Sequence, residues 1–459
     1  MILRNTLGAP VVLKASAFLF TFSILGARAQ EKITLQQAVE ITLQNNIQIK
    51  QSKLNEALSE ENLKQSKLYF YPTLNANTNL DFNFGRNIDP LTNEFVTEQI
   101  TTASGNVNSS VPLFQGFRLW HQVSQFKYQL EADKSSTKKI ENDLALTVVT
   151  TYLQILNNQD LLTAAQQQLE LAQLQLDREQ KQFDVGSKTL ADLSQAKSQA
   201  ATAQLNVTNA QNQLDISYLN LAQLMERDPA NRFEVVKPVV DQMGDINNTS
   251  AAEVYSKAVE NYPDIKLAQN RTLAALKAVD VAKGSLFPSL TFGGGMGSRY
   301  SSRRYRVERP TGEAILARDP FSDQINDNFN QAIGFTLSIP ILNNFTSRIN
   351  VRKAKISYQN AQLSEQLAKN NFNKIIYQAV TDLRAAESNY NSANSAFESS
   401  RDAFNAIQQR YNVGLVNSLD YNQAQTDLNS KEFALIQARY NLIFRNKIID
   451  FYLGNPLTF

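Results

Sequence analysis

From Val148 an apolar or aromatic side chain returns every seventh residue, through Ile155, Leu162, Leu169 and Leu176 to Phe183. A heptad sustained this long is the seam of a coiled-coil-like helix. The helix that carries it is predicted over about Gln115 to Asp184. At ~1.5 Å per residue it spans on the order of 100 Å, wider than an ordinary globular domain. After Gly186 a second series, Leu193, Ala200, Val207, Leu214 and Leu221, predicts the returning arm of a helical hairpin, from Lys188 to Glu226. An N-terminal helix from Thr34 to Tyr69 opens on a capping-box pair, Thr34 and Gln37. Stacked end to end with the return arm it matches the long helix, which predicts a pseudo-continuous partner.

Between the helices the period drops to two. Leu74, Ala76, Thr78, Leu80, Phe82 and Phe84 alternate with Asn75, Asn77, Asn79, Asp81 and Asn83, so one face suits lipid and the other water. Ala103, Gly105, Val107, Ser109 and Val111 alternate in the same way with Thr102, Ser104, Asn106, Asn108 and Ser110. Lengths near ten residues with this dyad pattern suit a transmembrane barrel with a polar lumen.

The whole plan is written twice. Val111-Pro112-Leu113-Phe114-Gln115-Gly116-Phe117 recurs as Ile339-Pro340-Ile341-Leu342-Asn343-Asn344-Phe345 at an offset of 228, and Phe183-Asp184-Val185-Gly186 recurs as Tyr411-Asn412-Val413-Gly414 at that same offset. The heptad reappears as Ile376, Leu383, Tyr390, Phe397, Phe404 and Tyr411, and the return arm as Tyr421, Leu428, Leu435, Leu442 and Ile449. Tyr71-Pro72 matches Phe287-Pro288 at an offset of 216, so a 12-residue insertion lies between the two prolines of the second copy, in a loop. The expected organisation is a signal peptide over 1–29, a first repeat over 30–245 and a second over 246–459. Pro72, Pro112, Pro288 and Pro340 mark the strand–helix junctions. The fold class is mostly α with membrane β-strands, in a duplicated β-β-α-α plan of long helical hairpins and four strands. Single-chain barrels start at about 8 strands, so several chains must share one, and three copies give 12. Phe114, Phe117 and Trp120 fall where strand passes into helix. They read either as an aromatic girdle at the membrane surface or as ordinary corner packing.

Charge and composition narrow the function. Arg4 and Lys14 precede an apolar run from Ala15 to Leu25, with Ala27-Arg28-Ala29 as a small-x-small cleavage site. Removing that segment takes three bases and no acids, so the net charge moves from +2 to −1, and no nucleic-acid partner is implied. There is no cysteine, hence no disulfide, thiol nucleophile or acylated N-terminal cysteine, and only one histidine, His121. No nucleophile, acid–base pair or metal cluster converges on one site, so neither an enzyme nor a cofactor is expected. Arg299, Arg303, Arg304, Arg306, Arg309 and Arg318 fall between the strands of the second copy, as a solvated outer loop or as a contact for anionic lipid sugar.

The duplicated plan, the paired prolines and the two aromatic-x-Val-Gly turns together resemble the TolC-like outer-membrane efflux proteins over essentially the whole mature chain. The resemblance implies a homotrimer in outer-membrane lipid, with a 12-stranded barrel and a periplasmic tunnel of helices. It also implies docking on a periplasmic adaptor (membrane fusion) protein and an inner-membrane pump, as the passive exit duct of a tripartite efflux or type I secretion system. By position, Tyr411 and Asp192 become a gate-latching pair and Asp420 the constriction carboxylate. Val185, Gly186, Val413 and Gly414 become hairpin-tip turns for the adaptor. The chain departs from the pattern at Val416 and Gln423, where the family can place a basic residue and a second acid; this argues for a weaker latch and against a second acidic ring. The plainer alternatives are solvated first-turn acids for Asp192 and Asp420 and a core role for Tyr411. At the level of the whole chain, the alternative is a structural or adhesive coiled-coil protein of the envelope.

Overall fold

A computed structural model describes residues 31–455 except 89–92, 98, 238–249, 261 and 309–314; the expected signal peptide and Arg309 lie outside the described residues. The first half runs β1 (Glu31–Ile33), α1 (Leu35–Asn45), α2 (Ile47–Leu68), β2 (Thr73–Asn83), β3 (Asn87–Ile88), β4 (Phe95–Val96), β5 (Ile100–Gln115), α3 (Arg118–Asp184), α4 (Leu190–Leu224) and β6 (Phe233–Val235). The second half runs α5 (Ala251–Ala258), α6 (Pro263–Gly284), β7 (Ser289–Ser301), β8 (Tyr305–Glu308), β9 (Ile315–Arg318), α7 (Phe321–Asp327), β10 (Asn330–Ser338), α8 (Thr346–Asn412) and α9 (Ser418–Leu453). The duplication seen in the sequence is therefore a duplication of elements, and each copy carries one helix of 67 residues.

The four long strands form one antiparallel sheet in the order β10-β7-β5-β2. Its register keeps the two faces apart. Ala76 pairs with Val107 and Val107 with Met296, while Phe292 pairs with Phe335 and Leu290 with Leu337. On the opposite face Asn77 pairs with Asn106, and Asn106 with Gly297. The apolar face is bare: Leu74 is 74% and Ile333 83% exposed. Pro72, Pro288 and Pro340 lie outside the strands, at their junctions with the helices. Pro112 instead lies inside β5, where the register against β7 shifts between Pro112 and Phe114. A bulge is where a strand tolerates a residue without an N–H.

Strand passes into helix through two consecutive left-handed residues. Gly116 and Phe117 have φ of 59° and 61° before α3, and their repeat mates Asn344 and Phe345 have 53° and 59° before α8. This double inversion turns the chain from a period of two to one of 3.6 within two residues. Gly116 is needed for a second reason, because a Cβ there would sit 2.5 Å from the Gly284 carbonyl oxygen at the end of α6.

The expected helix from Thr34 to Tyr69 is two helices. The capping box of Thr34 and Gln37 is present, but Asn46 at ψ 132° breaks the run. Its side-chain amide donates to the Leu224 carbonyl at 3.2 Å, and its side-chain oxygen accepts from the Gln48 N–H at 2.9 Å. One asparagine thus joins the end of α4 to the start of α2, which makes the pseudo-continuous partner of α3 a bonded one. Freed from that line, α1 packs with β1 and β6 in a belt around the middle of α3. There Ile33, Leu35, Tyr152, Ile155, Leu221 and Phe233 form the main core, and the Tyr152 hydroxyl donates to the Val236 carbonyl at 2.7 Å.

Around the arginine-rich segment, the described residues Arg304 and Arg306 meet the acids of α7 and Asp319 just before it. Arg304 pairs with Asp319 at 3.0 Å and Asp327 at 2.9 Å, and Arg306 with Asp323 at 2.5 Å. Gln324 is buried beneath them, its amide bonding the Ser301 carbonyl at 3.0 Å. Two of the six arginines, Arg304 and Arg306, are thus paired with acids of the same segment.

Gly116→Ala meets both a disfavoured φ and the backbone of α6, whereas Gly186 has open space around its missing Cβ. Gly186→Ala should cost only the left-handed strain, about 1–2 kcal/mol. Thermal melting of the detergent-extracted protein should show a clearly larger loss for Gly116→Ala; equal losses would refute the close approach.

Candidate functional site at the hairpin tips

Each hairpin turns through a left-handed glycine, Gly186 at φ 77° and Gly414 at 78°. Val185, Val413, Leu415 and Leu419 stand exposed around the turns. The returning helices are capped differently. Thr189 and Asp192 form a capping box on α4, the Thr189 hydroxyl donating to Asp192 Oδ2 at 2.7 Å. On α9 the cap is Asn417, whose side-chain oxygen accepts from the Asp420 N–H at 2.8 Å. The Asp420 carboxylate is exposed and makes no hydrogen bond or ion pair within the described residues.

Four hydrogen bonds tie the tip of the first hairpin to that of the second. The Ser418 hydroxyl donates to Asp192 Oδ1 at 2.7 Å. Arg178 donates to Asn412 Oδ1 at 2.8 Å. The Tyr411 hydroxyl donates to Glu179 Oε1 at 2.5 Å and accepts from the Gln175 amide at 3.0 Å. Tyr411 and Asp192, expected to bond each other, are each present in the tie but with other partners. The reason is reach: the Asp192 carboxylate is held by its own cap and by Ser418, while Tyr411 points across to α3.

Glu179 is buried, its side chain only 2% exposed, with the Lys188 ammonium 3.8 Å from Oε2. Lys188 and Arg178 also lie over the Tyr411 ring, at 5.3 and 5.6 Å from its centre. Behind it, Tyr411 stacks on Tyr421 at 4.7 Å, in a small core with Phe404, against which Val416 packs. Burial above all, together with the Glu179 carboxylate, pushes the Tyr411 phenol well above its ordinary value, so it remains a donor. Bonds from Ser418 first, then from Thr189, hold the Asp192 carboxyl down, at about 2.

Sequence reasoning missed Glu179 and Ser418. A lone acid in a glutamine-rich helix reads as solvated, and a serine after a cap residue reads as turn chemistry. The usable signal for Glu179 was its place one turn after Gln175, at the end of the seam. At the other end of the long helices Phe114 and Phe117 meet edge to face at 5.4 Å, and Trp120 meets Phe70 at 5.2 Å; Phe117 and Trp120 stay largely exposed.

Strands with one apolar and one polar face, feeding helices that end in bonded tips, define an envelope protein of the channel class. The chain belongs to the outer membrane efflux protein family, whose model matches residues 38–226 and 254–455. It is 21% identical over 437 residues to outer membrane efflux protein BepC of Brucella suis, covering 94% of this chain and 87% of that one. It is 22% identical over 334 residues to outer membrane protein TolC of Escherichia coli, covering 68% and 62%. Its fold is that of the Campylobacter jejuni CmeC channel (TM-score 0.76, 18% identity, 93% and 87% covered) and of Vibrio cholerae VceC (0.73, 17%, 92% and 96%). It is an outer-membrane efflux protein with its helical part in the periplasm. Among the described residues no helix is long and apolar enough to cross a membrane.

The Asp192 carboxyl at about 2, against an ordinary 3.8, fixes a pH window. Its tie stabilises the tip fully above roughly pH 4 and fades as pH falls towards about 2. Melting curves of wild type and Asp192→Asn should differ by a constant gap down to ~pH 4 that closes on further acidification; a gap that widens would exclude the tie.

Proposed function

We propose that three copies of this chain share one barrel and one helical tunnel, forming the passive exit duct of a tripartite export system. The two repeats, 30–245 and 246–459, each supply two strands and one hairpin. The observation that carries this reading is the pair of unclosed edges. β2 and β10 are the outer strands of a four-stranded sheet with an apolar face. In hydrocarbon no edge strand can leave its N–H and C=O groups unpaired. The helices repeat the pattern, since neighbours run α2, α3, α6, α8 in the same order as their strands. Each outer helix shows an exposed apolar row seven or fourteen residues apart: Ile47, Leu54 and Leu68 on α2, and Ile349, Ile356 and Leu363 on α8. A second copy placed with its β2 beside β10 sets its α2 beside α8, and the operation closes after three steps at 12 strands.

In this assembly the tips form the periplasmic gate. Glu179–Tyr411, Arg178–Asn412 and Asp192–Ser418 are the ties between the outer and inner hairpins, and three Asp420 carboxylates face one another at the constriction, favouring cations. The exposed apolar residues around Gly186 and Gly414 suit an adaptor protein, which in turn joins an inner-membrane pump. Phe114, Phe117 and Trp120 stand at the membrane interface.

Planar-bilayer recording of the purified protein should give single-channel steps, and their absence at all voltages would leave a structural or adhesive envelope protein as the reading. Asp420→Asn should reduce cation selectivity and relieve block by multivalent cations. An unchanged reversal potential would put Asp420 outside the lumen.

A further inference from the structure

From the belt downwards, α3, α4 and α9 enclose a long groove. Its lower part, of about 690 Å³, is lined by Gln168 of α3, by Ser198, Thr202 and Asn206 of α4, and by Gln425 and Asn429 of α9. Its upper part, of about 320 Å³, lies between Gln154 and Asn157 of α3 and Asn441 and Phe444 of α9. Gln437 lines both parts and joins them end to end. Along α9 the groove is marked by Gln425, Asn429, Phe433, Gln437, Asn441 and Phe444, at steps of four or three residues. At ~1.5 Å per residue that stripe is about 29 Å long.

Two features of the lining point to a ligand. Charged side chains make up 19% of the chain, yet none of the described residues that line either part is charged. Amides and hydroxyls take their place, with Phe433 and Phe444 among them. The second feature is a pair of unmet hydrogen-bonding groups. Asn157 Oδ1 and Gln168 Nε2 have no partner, in side chains of residues only 8% and 6% exposed. Buried polar atoms left in this way are rare in folded proteins, and here one is an acceptor and the other a donor. Burial holds the neighbouring Glu432 carboxyl above its ordinary range, but the Gln168 nitrogen completes no bond to it.

An extended, uncharged ligand that offers donors and acceptors at every unit, with apolar faces between them, matches this lining. An oligosaccharide has that chemistry: its hydroxyls suit the amides, and the C–H faces of its rings suit the two phenyl rings. A docked helix would instead need apolar sockets three and four residues apart, and amides occupy most of those places. The helical part lies in the periplasm, and the 67 residues of α3 reach on the order of 100 Å into it. The extended polysaccharide of that compartment is the cell-wall glycan, a strand of N-acetylated amino sugars with an uncharged backbone. We propose that the groove binds the wall glycan by its sugar backbone, with Asn157 and Gln168 completing their hydrogen bonds on its acetamido and hydroxyl groups. The site is built within one chain, so it requires neither the shared barrel nor the gate.

The test sediments the full-length protein in detergent with purified cell-wall sacculi, at an ionic strength that screens bulk charge attraction. The protein should pellet with the sacculi. Chitotetraose, which carries the acetamido groups, should release it, and maltotetraose, which has hydroxyls alone, should not. Gln168→Leu removes the unmet donor and should weaken retention about tenfold, the scale of one buried hydrogen bond. Gln437→Ala changes an exposed side chain where the two parts of the groove meet and should weaken retention as well, so it decides alone if the leucine variant fails to fold. A wild type that stays in the supernatant would overturn the proposal. So would equal retention of the folded variants, or equal release by the two sugars. Single-channel steps from a protein that ignores sacculi would overturn the glycan groove and leave the duct standing.

Discussion

A strand in hydrocarbon must pair both of its edges, and this chain has two strands that do not. β2 and β10 bound a sheet with one apolar face, carried by Leu74 on β2, Val107 on β5, Met296 on β7 and Ile333 on β10. That constraint reaches the whole molecule. It calls for neighbours on both sides, it fixes the strand order that the helices then inherit, and through the paired left-handed turns at Gly116 and Asn344 it aims a 67-residue helix away from each half of the sheet. Without those turns, sheet and tunnel would be separate objects. With them, closing one closes the other.

Duplication supplies the scaffold, and departures from it supply the bonds between the tips. At an offset of 228 the mate of Tyr411 is Phe183, the mate of Glu179 is Ile407, Lys188 faces Val416 in register, and Ser418 matches Leu190. Tyr411, Glu179, Lys188 and Ser418 therefore each stand opposite an apolar residue in the other copy. Asp192 and Asp420 are the clearest pair. They share a helical position, but the first carboxylate accepts three bonds from Thr189 and Ser418, and the second accepts none among the described residues.

Most of the fold was legible because its signals are long. A heptad of six members, a dyad pattern over ten residues and a repeat at fixed register each average over many residues, so single exceptions do not hide them. Asn46 was not legible: an asparagine in the middle of a periodic run looks like a solvated surface residue, and only the end of α4 shows why it breaks the helix. The bulge at Pro112 was equally silent, since it depends on the register of a strand about 180 residues away. At the tips, the glycine turns and the two first-turn acids stood out by position. Their bonding did not, because Glu179 and Ser418 are chosen by which faces two separate hairpins turn towards each other. The tie between Tyr411 and Asp192 was the cost of transferring a pattern by position alone.

Below Asp160 the groove that α3 shares with α4 and α9 is lined largely by polar side chains, among them Gln168, Gln425 and Asn429. Burying a leucine-sized side chain is worth about 1.5–3 kcal/mol, so a fully apolar seam over five turns would outweigh a handful of tip hydrogen bonds at about 0.5–3 kcal/mol each. Hairpins joined in that way would stay together whatever happened at the tip. Glutamine, serine, threonine and asparagine between Gln168 and Asn429 keep the helices aligned without locking them. The bonds at Glu179, Arg178 and Asp192 then hold the two tips together.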